Sequence, residues 1–317
     1  MTDAHPLRHG RRQAGNGNTR APGGSTQPPT HASTRFETGH DGDMTDRRDQ
    51  TVLTTGANSG IGLATVLEVA RRGYRTVGTV RSPEKADVVT AAAHEADVDV
   101  ETAILDVTDA PAVEETVDRY RPYAVVNNAG YSITGAIEDV PDSEARAALE
   151  TMVLAPMRLA RLAIPHMRER GEGRIVNVSS IYGRVTTPLT GWYQGTKHAL
   201  EALTDALRME VAGSGIRVVL VEPGGFRTGI WEETEREVQK RAGSRYDGAY
   251  RRTLQGTRLA QPIMGAPGQV AKVIAGALSG FTRPRYLVGY DAAAISLWSR
   301  LTPTEIKDRL SRLVLGL

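Results

Sequence analysis

The chain has 317 residues, 40% of them hydrophobic and 24% charged, with a formal charge of only +2. That length carries one large α/β domain with a full core, and the near-balanced charge gives no reason to expect a nucleic-acid partner. There is no cysteine, which excludes disulfides, thiolate metal sites and cysteine nucleophiles and fits a reducing compartment.

Residues 1–48 are rich in Gly, Pro, Thr, Arg and His and lack apolar periodicity, so a disordered extension is expected there. Four of the seven histidines fall in it, at His5, His9, His31 and His40, but their irregular spacing argues against a metal site. Met44 is followed by Thr-Asp, just as Met1 is, which raises it as an alternative start. The N-terminus has no apolar secretory core and no stretch of about 18 apolar residues occurs, so no membrane span is expected and the default is cytoplasmic.

From about residue 50, β-rich runs at 51–55, 75–80, 100–105, 123–127, 174–179, 217–222 and 285–288 alternate with helical spacing at 60–72, 112–120, 143–170 and 192–212. Such alternation predicts an α/β fold: a doubly wound parallel sheet (Rossmann fold) of about seven strands, with ligand beyond the carboxyl ends of the strands. The first strand runs into Thr55-Gly56-Ala57-Asn58-Ser59-Gly60-Ile61-Gly62 at a helix start. Gly56 suits a tight turn, Gly60 a close approach to a pyrophosphate, and Gly62 close helix–strand contact, while the helix N-terminus offers N–H groups to phosphates. The second strand ends in Gly78-Thr79-Val80-Arg81-Ser82. No acid is there to bind a ribose 2′-hydroxyl, and Arg81 can pair with a 2′-phosphate, so NADP(H) is the expected cofactor.

After the fifth strand comes Asn177-Val178-Ser179-Ser180, and thirteen residues beyond Ser180 the run Tyr193-Gln194-Gly195-Thr196-Lys197. Tyr193 and Lys197 are one turn apart on a predicted helix and share a face. A free phenol with a pKa near 10 is a poor proton shuttle at neutral pH, and a neighbouring ammonium is expected to lower it. Ser180 is placed to hold a carbonyl oxygen that accepts hydride at carbon while Tyr193 supplies the proton.

These motifs together resemble the short-chain dehydrogenase/reductase superfamily, in the branch with the Thr-Gly-x3-Gly-Ile-Gly turn and Tyr-x3-Lys, over roughly residues 50–290. The resemblance implies an oxidoreductase acting on a small-molecule carbonyl or secondary alcohol, with Ser180, Tyr193 and Lys197 catalytic and Lys197 also on the nicotinamide ribose. It implies that Gly56, Asn58, Ser59, Gly60, Ile61, Gly62 and Arg81 bind the cofactor. Asp106-Val107 correspond to an adenine-contacting pair, and Asn128-Ala129-Gly130 to a segment bracing the sheet and touching the cofactor ribose. Pro223-Gly224 with Thr228 correspond to the nicotinamide end. Assembly as a homodimer or homotetramer through the helices at 143–170 and 192–212 is implied too. One position departs from the pattern. Met152 stands where many members carry an asparagine that holds a water in the proton relay from the lysine, and a thioether is at best a weak acceptor. That departure motivates a rival reading, an NADP(H)-binding sensor or scaffold with reduced turnover. Nearby Pro156 predicts a kink.

On the substrate side, Tyr131, Tyr182 and Trp192 flank the motifs, as pocket lining or as packed core. Residues 229–262 read as a mobile lid. The stretch Val221-Glu222-Pro223-Gly224-Gly225-Phe226-Arg227-Thr228 is similar to hydroxysteroid and retinol dehydrogenases, which implies an apolar, steroid-, retinoid- or lipid-like substrate. The single domain is thus expected over 49–290. A C-terminal helical tail over 291–317 follows, amphipathic through Leu297, Trp298, Leu301, Leu310, Leu313 and Leu315. Covering the pocket, mediating assembly and touching lipid are all open to that tail; packing on its own domain is the reading adopted.

Overall fold

The computed structural model describes residues 47–317, and the expected extension and the Met44 start lie outside them. Seven parallel strands form one sheet: β1 (Thr51–Thr55), β2 (Arg75–Val80), β3 (Glu101–Ile104), β4 (Ala124–Asn127), β5 (Gly173–Val178), β6 (Ile216–Pro223) and β7 (Arg285–Val288). Their spatial order is β3-β2-β1-β4-β5-β6-β7. The order reverses between β1 and β4, so a crevice opens beyond their carboxyl ends.

The strands are apolar on both faces because both are covered. On one side Leu53, Val77, Val125, Ile175 and Val218 pack on α3 (Ala110–Tyr120), α5 (Ala155–Arg170) and α6 (Gly191–Glu210). On the other, Val52, Val126, Val176, Val219 and Val221 meet α9 (Pro267–Gly276) and Val69 of α1 (Gly60–Arg71). Successive strand residues point to opposite layers, as the period of two requires. A smaller cluster joins β2 to α1 and α2 (Pro83–Glu95) through Val66, Val80 and Val89.

The helix expected over 143–170 is not continuous. It runs as α4 (Asp142–Leu149), a π-turn (Glu150–Leu154) and then α5. Pro156, buried in the first turn of α5, has no N–H to return to the carbonyl of Met152. Just before it, the Ala155 N–H reaches back five residues to Glu150 O. The kink expected from Pro156 therefore takes the form of a π-turn centred on Met152.

The segment expected to act as a lid folds into α7 (Ile230–Lys240) and α8 (Asp247–Ala260). Arg241, almost fully buried, ion-pairs with Glu144 of α4 and with Glu237. Tyr250 donates to Asp139 Oδ2 and accepts from Ala136 N, each at 2.7 Å. The tail forms α10 (Tyr290–Leu301) and α11 (Thr304–Leu315), which pack on the domain along one side only.

Where β4 and β5 end, Asn127 and Asn177 are paired in register. Asn127 Nδ2 donates to Asn177 Oδ1 at 2.7 Å, and Asn177 Nδ2 donates to Thr204 Oγ1 of α6 at 2.8 Å, all buried. Asn177→Ala leaves the Asn127 amide with only Pro156 O at 3.4 Å and removes the donor to Thr204. A loss of about 3 kcal/mol is expected, read as a lower urea midpoint with unchanged m-value; a loss within experimental error would show that the pair carries no net stability.

Candidate active site

The carboxyl end of β5 and the first turns of α6 bring Ser180, Tyr193 and Lys197 together. Lys197 Nζ donates to Val178 O at 2.9 Å and lies 5.7 Å from the centroid of the Tyr193 ring. Ser180 hydrogen-bonds with Tyr193 and accepts from Tyr182 N at 3.2 Å. Tyr182 meets Tyr193 edge to face at 6.2 Å between ring centres. The intervening loop is tied to α6 by buried Gln194, which accepts from Thr187 N at 3.0 Å and donates to Thr187 Oγ1 and Thr190 Oγ1.

The electrostatics differ from the expectation of a lowered phenol. Burial pushes Tyr193 up to about 12, against which the Ser180 hydrogen bond acts downward. Burial also lowers Lys197 to about 8, with Glu201 opposing. Both groups sit where a charge is poorly solvated, so desolvation sets the direction of both shifts. The phenol accordingly keeps its proton at neutral pH.

Behind Lys197 lies a set of charges that motif reading passed over. Glu201, one turn beyond Lys197, lies beside Ser179 and ion-pairs with Arg285 of β7. Arg285 also holds Asp205, another turn along α6, and fully buried Glu222 at 2.6 Å. Arg184 Nε closes on Glu222 Oε2 at 2.5 Å. Burial, reinforced by Glu222, raises the Glu201 carboxyl despite Ser179 and Arg285. The i, i+4 spacing that paired Tyr193 with Lys197 reaches Glu201 and Asp205 when continued, so the signal was present in the sequence.

On the cofactor side, Gly56 has φ +67°, and a Cβ on Gly62 would run into Gly56 O. Asn128 Nδ2 donates to Thr55 O at 2.9 Å and Gly56 O at 3.2 Å, while the N–H groups of Asn128 and Ala129 both reach Thr55 Oγ1 at 3.0 Å. Gly60 approaches Thr228, and Ile61 leans on the core beside β1. Asn58 is half-buried and Ser59 exposed, and the Ser59 side chain makes no capping bond. The first turn of α1 carries no acid, so its N–H groups and positive dipole end suit a pyrophosphate.

Arg81 is exposed at the end of β2. The Asp106 carboxyl is lowered by hydrogen bonds from Thr108 N and Oγ1, and further by the charge of Arg81. Val107 is different in kind: its side chain is buried in the core, and its carbonyl accepts from Arg158 at 3.2 Å. Pro223 ends β6; Gly224 N donates to Val288 O at 2.9 Å, and Gly225 N to Asp291 Oδ2 at 2.6 Å. Asp291 at the start of α10 thus braces this loop, a contact across 66 residues that no local motif announces.

Met152 is buried between these two halves. A Cβ on Gly130 would lie 3.3 Å from its sulfur, and Thr196 Oγ1 stands 3.9 Å away on α6. Tyr131 and Trp192 pack in the same cluster with Ile133 and Ala148, and Tyr182 against Ile181 and Val185.

A family model described as short chain dehydrogenase matches residues 50–239. The chain belongs to the short-chain dehydrogenase family. An uncharacterized oxidoreductase of Bacillus subtilis, YusZ, is 35% identical over 230 residues, 70% of this short-chain dehydrogenase and 82% of the relative. The 3-ketodihydrosphingosine reductase of Bacteroides thetaiotaomicron is 32% identical over 203 residues, 62% of this chain and 71% of the relative. Among solved structures, an actinorhodin polyketide ketoreductase with NADPH aligns at TM-score 0.66 and 28% identity, covering 76% of this chain and 96% of that one. Membership makes the protein an oxidoreductase whose fold binds a nicotinamide cofactor.

The desolvated ammonium has a consequence for stability. A lysine lowered from 10.5 to about 8 contributes stability that is full above pH 10.5 and lost as pH falls through 8. The stability difference between wild type and Lys197→Met should therefore rise, in favour of wild type, by about 3 kcal/mol across that window. Urea unfolding of both proteins over a pH series measures it, and a flat difference would mean the ammonium is solvated.

Proposed function

We propose that this short-chain dehydrogenase is NADP(H)-dependent and interconverts a carbonyl and a secondary alcohol on an apolar substrate. The observation that carries the reading is the meeting of Ser180, Tyr193 and Lys197 at the end of β5, opposite a glycine turn whose neighbouring strand ends in Arg81. The lipid-like name of the Bacteroides relative and the NADPH of the ketoreductase support the substrate class and the cofactor.

Bound along the crevice, the nicotinamide supplies or takes up the hydride. Gly56, Asn58, Ser59, Gly60, Ile61 and Gly62 hold the pyrophosphate region, and Arg81 pairs with the 2′-phosphate. Asp106 and Val107 border the adenine through side chain and backbone respectively. Asn128, Ala129 and Gly130 lie by the ribose, and Pro223, Gly224 and Thr228 by the nicotinamide. Ser180 donates to the substrate oxygen, Tyr193 gives it the proton, and Lys197 stabilises the phenolate left behind while holding the nicotinamide ribose. A phenol held near 12 is protonated at working pH, so its proton is in place for carbonyl reduction. The protein is read as a cytoplasmic homodimer or homotetramer. An assembly face at α5 and α6 is supported by a groove of about 330 Å³ between them, with Met157, Ile164 and Leu207 in its lining and Arg161, Arg168 and Glu210 also lining it. Among the described residues no helix is long and apolar enough to cross a membrane.

Met152 favours one other reading, a cofactor-binding sensor with reduced turnover, because its sulfur replaces a polar relay group. A panel of aliphatic, steroid and quinone carbonyls with NADPH separates the two: the enzyme oxidises NADPH with at least one, the sensor binds tightly and oxidises none. In the enzyme, Tyr193→Phe should lower turnover by about 10²-fold or more. Arg81→Ala should weaken NADPH about tenfold or more and leave NADH nearly unchanged. An unchanged NADPH/NADH ratio would remove Arg81 from the cofactor site.

A further inference from the structure

The Pro223-Gly224-Gly225 corner at the end of β6 is shaped by a side chain far along the sequence. β7 ends at Val288, and Gly289, with φ +105°, turns the chain into α10 so that Asp291 comes back against that corner. Its carboxylate lies among three glycines. A Cβ on Gly224 would stand 2.3 Å from both carboxylate oxygens, one on Gly289 2.4 Å from Oδ1, and one on Gly225 3.3 Å from Oδ2. Asp291 Oδ2 accepts from Gly225 N at 2.6 Å, a charge-assisted bond to the backbone. The carbonyl of the same glycine is held by backbone, since Gly265 N donates to Gly225 O at 3.1 Å and Arg227 N to Gly265 O at 3.0 Å.

Asp291 is exposed in the first turn of α10, where any acid suits the positive end of the helix. An acid turned to solvent would serve that purpose, whereas this one is turned onto the loop. The next residue, Ala292, is fully buried against Ile181 and Val185, in the segment that follows Ser180. Neighbouring residues of one helical turn therefore touch two sides of the crevice, the loop that leads to Thr228 and the turn that begins at Ser180. A misplacement of about 1 Å between reacting groups is enough to cost about 10²-fold in rate, so a fixed distance between those two sides matters for the chemistry.

We propose that Asp291 is a positioning residue for the nicotinamide half of the cofactor, holding Gly225 so that the loop from Pro223 to Thr228 keeps a fixed place relative to Ser180. It acts through the backbone of that loop, and the proposal rests on the reading of Pro223, Gly224 and Thr228 as the nicotinamide end. The start of the C-terminal helical pair is in this way part of the cofactor-binding apparatus.

The test is calorimetric titration of the full chain with two ligands, NADPH and adenosine 2′,5′-bisphosphate, which keeps the adenine, ribose and 2′-phosphate but lacks the nicotinamide. Asp291→Ala should weaken NADPH about tenfold or more and leave the bisphosphate unchanged. Asp291→Asn keeps an acceptor oxygen for Gly225 N and should recover most of that loss. Asp291→Ser suits a helix start but is too short to reach Gly225 N; it should show the same split, and it serves if Asp291→Ala does not fold. Equal losses for the two ligands would make Asp291 a general support of the fold and overturn the proposal. Unchanged NADPH affinity, or an Asp291→Asn loss as large as that of Asp291→Ala, would overturn it as well. Thr228→Val probes the loop itself. A selective NADPH loss there, with none in Asp291→Ala, defeats the proposal alone; no loss in either variant defeats the placement of the nicotinamide too. A wild type that takes NADH in place of NADPH faults the reading of Arg81, and the same split then decides the proposal between NADH and ADP.

Discussion

The site depends on how the end of β5 grips α6. Two residues of the strand end each take one side chain from a single face of that helix: Val178 O accepts from Lys197, and Ser180 engages Tyr193. A strand end and a helix face normally meet through apolar packing. Here the contact is made by polar groups in sequence, so the orientation of α6 about its axis is set by hydrogen bonds with defined directions. Rotation of the helix by one residue would break both at once.

Burying those groups has an electrostatic cost that the surroundings only partly offset. The lysine and the tyrosine both move toward their neutral forms, and the acids behind them are matched by Arg285 and Arg184 rather than by solvent. Glu222 and Glu201 are almost fully buried, and removing Arg285 would leave the Glu201 carboxylate without its ion partner. The network therefore acts as a counter-charge that keeps Lys197 from being depressed further, with Glu201 as the nearest element. Burial sets the direction of both shifts at the site, and Glu201 of α6 opposes it at Lys197.

Much of the sheet was legible because β-rich runs and glycine turns are local signals: β1, β2 and β7 match the expected spans, and the others shift by a residue or two at their ends. The glycine turn and the Tyr-Lys pair were readable for the same reason, each being complete within eight residues. What escaped was either long-range or energetic. Arg285 meets Glu201 across 84 residues, and Asp291 meets Gly225 across 66. The direction of the Tyr193 shift depends on how many atoms surround the phenol, which spacing along a helix does not encode. The π-turn lay between the two cases: Pro156 announced a break, but the extra residue in the turn is a matter of hydrogen-bond geometry.

The buried amide pair at the ends of β4 and β5 has a bearing on how the chain finds its fold. Parallel strands of Val, Ile and Ala offer little to distinguish one alignment from another, since both faces are equally apolar. Sliding β5 by one residue against β4 would turn Asn177 to the opposite layer and break the amide pair inside the core. The pair thus works as a register pin, penalising misaligned sheets during assembly. It sits one residue before Asn128 and three before Ser180, so the same pin that rejects a slipped sheet brings the cofactor side and the proton-donating side of the crevice level with each other.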